Sequence, residues 1–222
     1  MGLINATEGE AEILGMNVKT HITDILKKVG YMPGDAAFYK GMRVKEILKL
    51  SADLRNMDCS AEAESLCRRL DLDVNKKITE LSLGNRKKVG IVCALQHKPE
   101  LYILDEPTSG LDPLIQHEFY SILQERNLQG ATIFLSSHIL SEVARYCKNA
   151  AIIRDGKLLA CDSVSSLSHS DVKRVTLKGV SEILQNENIR DLKTEDGVTR
   201  FLYPSNIPST SRATFAPVGF EL

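Results

Sequence analysis

An apolar run that ends in two acidic residues limits what this chain can fold into more than any other feature of its sequence. The run is Leu101–Leu104, and Asp105, Glu106 and Pro107 follow it directly. A short apolar run predicts a buried β-strand, which would normally avoid two adjacent carboxylates. In phosphoryl-transfer enzymes a carboxylate at a strand end holds Mg²⁺, and a neighbouring group orients the attacking water. Two acidic residues in a solvated turn are a common alternative when such a pair stands alone.

The segments around this run predict an α/β fold. Asp112 and Pro113 supply an N-cap and a first helical residue, and a helix-like pattern follows them. A second apolar run, Thr132–Leu135, predicts another strand and precedes a second helical pattern. This alternation implies a parallel sheet flanked by helices, with functional residues at the carboxyl ends of the strands. A further strand, Ala150–Ile153, is expected to form a hairpin around the turn at Asp155.

The pattern also suggests how the chain is divided. Helical periodicity predicts a helical subdomain at about residues 36–97, inserted into an α/β unit that covers residues 1–170. Residues 171–203 are expected to form a small α+β appendage. Residues 204–222 are rich in Ser, Thr and Pro without periodicity, and we expect them to be disordered.

Composition removes several classes of function. The chain has 28 Lys and Arg against 29 Asp and Glu, so no overall field attracts nucleic acid. Its five cysteines contain no CxxC pair, which disfavours a zinc site or a disulfide framework and fits a reducing cytosol. No window is apolar enough for a spanning helix. We therefore expect a cytoplasmic protein that reaches a membrane only through a partner.

A glycine-containing segment upstream of the acidic pair predicts a helix N-terminus that can approach a phosphate. The segment is Leu81, Ser82, Leu83, Gly84 and Asn85. Ser82 can cap the helix, and Gly84 allows close approach to the free backbone N–H groups of the first turn. Taken alone, five such residues would more often be a plain helix cap.

Two further candidates follow the predicted strands. The segment Ser109–Asp112 comes soon after the acidic pair, and His138 comes just after Thr132–Leu135. A histidine at a strand end can donate a hydrogen bond to a phosphate oxygen, although an isolated one is more often a structural surface residue.

These motifs together, in this order and spacing, resemble the nucleotide-binding domains of ATP-binding cassette (ABC) transporters. LSLGN resembles the family signature LSGGQ, and LYILDEP resembles its Walker B strand with the catalytic glutamate. SGLD resembles the D-loop, and His138 the switch histidine. The resemblance runs from Gly2 to about residue 203 and is closest to exporters of the ABC-2 type. It implies an α/β fold of the P-loop NTPase type, with a parallel sheet and an inserted helical subdomain.

The resemblance also implies roles for these residues. In the family two such domains close head to tail, so that each ATP lies between the Walker A loop of one and the signature of the other. Asp105 would hold Mg²⁺, Glu106 would polarise water and His138 would stabilise the γ-phosphate. Residues 81–85 would contact the ATP of the partner, and Asp112 would link the two sites. The implied cofactors are ATP and Mg²⁺, and the implied partners are a second ABC subunit and transmembrane permease subunits.

Two of the departures from the family pattern concern the Walker A loop and the Q-loop. No GxxxxGK[ST] motif is found, so we expect the Walker A loop and the N-terminal strands of the family core to be missing, and ATP binding to be weakened. Gly34 occupies the position of the Q-loop glutamine, with Asp35 next to it. Asp35 can act on the metal through a water molecule, or it belongs to a turn without function.

Three readings of the function stay open at this stage. The chain is an ATP-hydrolysing exporter subunit in truncated form, a non-hydrolysing partner that donates its signature to an intact ABC protein, or an inactive gene fragment. In each of them we expect no significant ATPase activity from this chain alone.

Overall fold

The chain separates into two compact units, Met1–Glu142 and Val143–Leu222. The computed structural model describes residues 2, 4–168, 172–178, 190–195 and 198–204. The domain limits expected from the sequence, at residues 170 and 203, stay predictions. Of the segment expected to be disordered, only Pro204 lies among the described residues.

The helices and strands alternate through the first unit, and the described elements of the second unit are mostly strands. In the first unit the elements are β1 (Glu12–Ile13), β2 (Met16–Asn17), α1 (Ile22–Lys28), β3 (Val29–Met32), α2 (Val44–Asp53), α3 (Ser60–Arg69), a 3₁₀ turn (Ile78–Glu80), α4 (Leu83–Leu95), β4 (Leu101–Leu104), α5 (Pro113–Leu128) and β5 (Thr132–Leu135). Helix α6 (Leu140–Tyr146) crosses the unit boundary. The second unit contains β6 (Asn149–Arg154), β7 (Lys157–Ser163), α7 (Val164–Ser168), β8 (Val172–Lys178), β9 (Arg190–Glu195) and β10 (Val198–Pro204).

A parallel sheet in the order β3-β4-β5 forms the centre of the first unit. Its last paired residues are Met32, Leu104 and Leu135, so the three strands end at the same level. Strand β4 lies in the middle, and Tyr102 and Leu104 on it are buried. The α/β fold with a parallel sheet predicted from the sequence is therefore confirmed.

Helix α4 packs closely against this sheet. Val89, Ile91 and Val92 on the helix are fully buried. The close approach depends on Gly30 in β3, because a Cβ at this position would clash with the backbone carbonyl oxygen of Ala94. The backbone of α4 is therefore held directly over the strand that leads to Gly34 and Asp35.

Ion pairs attach α3 to α5. Arg69 on α3 makes a forked pair with Glu125, with N···O distances of 2.6 and 2.7 Å. The buried Arg126 on α5 pairs with Glu62 on α3. Paired charges with this geometry are costly to break when one partner is buried. They therefore fix the orientation of α3 on α5.

The described strands of the second unit are all antiparallel. Strands β6 and β7 form the hairpin predicted from the sequence, with its turn at Asp155 and Gly156. A three-stranded sheet in the order β8-β10-β9 follows. In the part of the chain that the structure describes, no helix is both long enough and apolar enough to cross a membrane.

His97, which follows α4, is a buried histidine that the structure holds in the neutral form. Its side chain is 6% exposed, and Nε2 donates a hydrogen bond to the carbonyl oxygen of Val29 at 3.2 Å. Burial, and then the nearby positive charge of Arg55, lower the pKa of His97 to about 4. The folded chain therefore resists protonation of this ring.

This environment predicts a pH dependence of stability. Because the folded pKa of His97 is about 4 against an ordinary 6.5, the unfolded chain binds the proton more readily between these values. The free energy of unfolding should fall as the pH drops through this window. In His97→Gln the slope of the free energy of unfolding against pH should be smaller by up to about 1.4 kcal/mol per pH unit. Urea denaturation at a series of pH values measures both slopes, and equal slopes would contradict the prediction.

Candidate functional site

The predicted acidic pair lies at the carboxyl edge of the parallel sheet. Asp105 N donates a hydrogen bond to the carbonyl oxygen of Met32 at 2.9 Å, and Ser136 N donates to that of Leu104 at 2.9 Å. These two bonds continue the sheet ladder by one step beyond the strand ends. Asp105 and Ser136 therefore lie side by side on neighbouring chains.

Ser136 connects the two acidic residues. Its Oγ donates a hydrogen bond to Asp105 Oδ1 at 2.6 Å and accepts one from Glu106 N at 3.0 Å. Ser136 was not among the candidate residues predicted from the sequence. Its position between a predicted strand and the candidate histidine could have identified it. The hydroxyl orients the Asp105 carboxylate and fixes the backbone of the next residue.

Glu106 and His138, the two candidate catalytic residues, are brought into contact. His138 Nδ1 lies 2.7 Å from Glu106 Oε2, and since a carboxylate only accepts, Nδ1 carries the proton in this hydrogen bond. The backbone φ of Glu106 is +46°, in the left-handed region, which costs about 1–3 kcal/mol for such a residue. The protein thus holds Glu106 in a strained conformation directly beside the imidazole.

The two residues at the Q-loop position border the same edge. A Cβ at Gly34 would lie 3.1 Å from Asp105 Oδ2, so this glycine leaves space beside the carboxylate. Asp35 lines a cavity of about 370 Å³ together with Glu106 and Lys87. Lys87, on α4, was not singled out by the sequence reasoning.

The signature segment, residues 81–85, forms the N-terminus of α4. Leu81 is buried, and Ser82 caps the helix, with its Oγ accepting a hydrogen bond from Asn85 N at 3.3 Å. Leu83 is 64% exposed. The first turn of a helix leaves backbone N–H groups without partners inside the helix. This end of α4 therefore presents donors beside an exposed apolar side chain.

The loop before α5 lies against the signature segment. A Cβ at Gly84 would be 2.7 Å from the carbonyl oxygen of Gly110, so only glycine fits this contact. Asp112 caps α5, and its Oδ1 accepts a hydrogen bond from Ile115 N at 3.1 Å. Of the candidate residues, Asp112 therefore has a clear structural role in this chain.

The carboxylate oxygens at the carboxyl end of β4 are suitable ligands for Mg²⁺. Asp105 is exposed, its carboxylate is oriented by a hydroxyl, and Glu106 lies next to it. Among the described residues, no group of three His, Cys, Asp or Glu side chains could hold a metal ion. Mg²⁺ is usually held by one or two carboxylates together with water and substrate phosphates, and Asp105 and Glu106 supply two carboxylates here.

The contact between Gly84 and Gly110 gives a stability prediction. In Gly84→Ala the added Cβ must push the Gly110 backbone away, which should cost about 1–3 kcal/mol in the free energy of unfolding. Gly90→Ala, on the same helix, is the matched control, because its Cβ would meet neighbours only at ordinary distances of 3.5 Å and more. Gly90→Ala should be neutral or stabilising. Equal losses in the two variants by urea denaturation would contradict this account.

Comparisons with known proteins agree with the motifs. The sequence model of the ABC transporter family matches residues 1–109. The bacitracin transport ATP-binding protein BcrA of Bacillus licheniformis is 36% identical over 72% of this chain and 53% of the relative. The uncharacterized ABC transporter ATP-binding protein YhaQ of Bacillus subtilis is 31% identical over 90% of this chain and 66% of the relative.

A solved structure gives the same result. The structure described as the ATP binding subunit of an ABC transporter is 31% identical, with a TM-score of 0.70 over 75% of this chain and 71% of that chain. The chain spans 53% and 66% of the lengths of the two curated relatives. The resemblance inferred from the motifs is confirmed, and the chain belongs to the ATP-binding subunits of the ABC transporter family.

Proposed function

We propose that this chain is the ATP-binding and ATP-hydrolysing part of an ABC exporter, which drives export of a substrate through partner membrane subunits. The observation that carries this proposal is the arrangement at the sheet edge. Asp105 is oriented by Ser136, and Glu106 is in contact with His138. A metal-holding carboxylate beside a second carboxylate that can activate water is what hydrolysis of a phosphoanhydride needs.

Asp105 is the residue that holds Mg²⁺ in this proposal. Its carboxylate is exposed at the end of β4, and the Ser136 hydroxyl occupies Oδ1, which leaves Oδ2 facing Gly34. When bound, Mg²⁺ neutralises phosphate charge and polarises a phosphoryl oxygen. A hydrogen bond from a neighbouring group keeps a metal-binding carboxylate in one orientation, which favours binding.

Glu106 and His138 act on the attacking water. Glu106 accepts a proton from water, and the hydrogen bond from His138 Nδ1 to Oε2 holds the carboxylate in place. His138 is 70% exposed on its side chain, so Nε2 can reach a phosphate oxygen. Since Nδ1 donates to Glu106, Nε2 donates as well only in the imidazolium form, in which the pair combines a base with a hydrogen-bond donor for developing negative charge.

The signature segment contacts ATP held by a second ABC subunit. Ser82, Gly84 and Asn85 lie at the N-terminus of α4, where the helix dipole and free N–H groups favour a phosphate. Exposed Leu83 lies beside them and becomes covered when the two subunits close. Asp112 caps the helix that follows the adjacent loop, and so links this surface to the core.

The Glu106 role is tested in the assembled transporter that contains this chain. Glu106→Gln should lower the rate of ATP hydrolysis at least about 100-fold, because the amide cannot accept the proton from water. ATP binding should be retained. The control is Glu100→Gln at the other end of β4, where the exposed carboxylate pairs with Lys28. A complex whose hydrolysis is unchanged by Glu106→Gln would rule out the proposed function.

The partner membrane subunits dock on the inserted helices, at the cytoplasmic face of the membrane. A cavity of about 1060 Å³ lies between α2 and α3, and Leu48, Cys67 and Leu72 contribute apolar surface to it. Gln96 lines the same cavity and is 3% exposed, and its Oε1 has no hydrogen-bond partner among the described residues. An amphipathic helix of a membrane subunit would cover the apolar surface.

The docking surface gives a separate prediction. Ala63 on α3 lines the cavity, so Ala63→Trp should fill it and lower co-purification with the membrane subunits at least about tenfold. Ala61→Trp is the matched control, because Ala61 is exposed on the same helix and does not line the cavity. Quantitative recovery of the membrane subunits with the Ala63→Trp chain would show that they bind elsewhere.

A further inference from the structure

Lys87 is a buried lysine whose charge faces the carboxylates of the sheet edge. It lies on α4, is 8% exposed, and lines the cavity that Asp35 and Glu106 also line. Burial lowers the pKa of Lys87, whereas the negative charges of Asp35, Glu106 and Asp105 oppose that shift. Among the described residues, Lys87 has neither a hydrogen bond nor an ion pair. Its ammonium group is therefore available to a ligand in the cavity.

The neighbouring lysine has a different environment. Lys88 is 7% exposed, and its Nζ donates a hydrogen bond to the carbonyl oxygen of Asp71 at 3.4 Å. Asp71 lies just beyond α3, in the inserted helices. The two adjacent lysines, of similar burial, therefore have different surroundings, and of these two only Lys87 lines the acidic cavity, which Arg86 also lines.

A fixed positive charge in this cavity affects a free metal ion and a metal–phosphate complex in opposite ways. A free divalent cation beside Asp105 is repelled by the ammonium group, and the repulsion is only partly screened in a recessed site. A divalent cation bound to polyphosphate has a net negative charge, which the same ammonium group attracts. The carboxylates alone would favour the free cation.

We infer that Lys87 is a specificity-determining residue, which makes the cavity lined by Asp35 and Glu106, next to Asp105, select a divalent cation bound to polyphosphate over the free cation. The inference rests on the proposed function, because it takes Asp105 as the metal ligand. It gives α4 a role in selecting the ligand that binds at the carboxyl ends of the parallel strands in the same chain.

Binding of Mn²⁺ to the purified full chain tests this inference. Mn²⁺ is titrated alone and together with inorganic tripolyphosphate, and binding is followed by electron paramagnetic resonance. Lys87→Met should tighten binding of Mn²⁺ alone about threefold or more, and should weaken the preference for Mn²⁺–tripolyphosphate by a similar factor. Lys88→Met should leave the affinity for Mn²⁺ alone and the preference for Mn²⁺–tripolyphosphate within about 1.5-fold of wild type, since the charge of Lys88 does not face the cavity. Lys87→Arg keeps the charge and should restore the wild-type preference.

Circular dichroism establishes that each variant is folded, and Lys87→Gln makes the same charge change if Lys87→Met does not fold. Equal affinities of wild type and Lys87→Met for Mn²⁺ alone would overturn the inference. So would the absence of Mn²⁺ binding in both proteins.

Asp105→Asn distinguishes failure of the proposed metal site from failure of the proposed role of Lys87. If Asp105→Asn binds Mn²⁺ as wild type does, the metal site of the proposed function is wrong. If it loses binding while Lys87→Met has no effect, only the role of Lys87 is wrong.

Discussion

The site depends on three parallel strands that end at the same level. The pairing of Met32 with Leu104, and of Leu104 with Leu135, sets this level, and the two backbone hydrogen bonds beyond it extend the ladder to Asp105 and Ser136. The backbone therefore determines which side chains meet. Carboxylates that repel one another can be held close because the ladder, and not their own interactions, fixes their positions.

The charges gathered at this edge are balanced locally. Asp105 accepts from the Ser136 hydroxyl, Glu106 accepts from His138, and Lys87 supplies a buried positive charge nearby. Each of these interactions reduces the cost of placing acidic groups at a partly buried strand end. The strained backbone conformation of Glu106 is consistent with these contacts, because backbone strain is retained where surrounding contacts determine the conformation.

Local patterns in the sequence were enough to predict several of the elements that carry the site. The strands Leu101–Leu104 and Thr132–Leu135 and the N-cap at Asp112 are where the sequence placed them, because each depends on nearby residues. Ser136 and Lys87 were missed for a physical reason. A hydroxyl that bridges two strands, and a lysine that reaches across a cavity, depend on pairings that only the folded chain reveals. Strands β3 and β9 were missed as well, and β9 lacks a clear alternating pattern.

Helix α4 joins two surfaces that would otherwise be independent. Gly84 at its N-terminus packs on Gly110 in the loop before α5, and Lys87, one turn later, faces the carboxylates of the sheet edge. A helix rises about 1.5 Å per residue, so these two positions are only about 4.5 Å apart along its axis. Because a hydrogen-bonded helix moves as a unit, displacement of the signature segment by a partner must also move the Lys87 charge relative to Asp105 and Glu106. The surface proposed to meet a second subunit is thus mechanically connected to the electrostatics of the proposed metal site in the same chain.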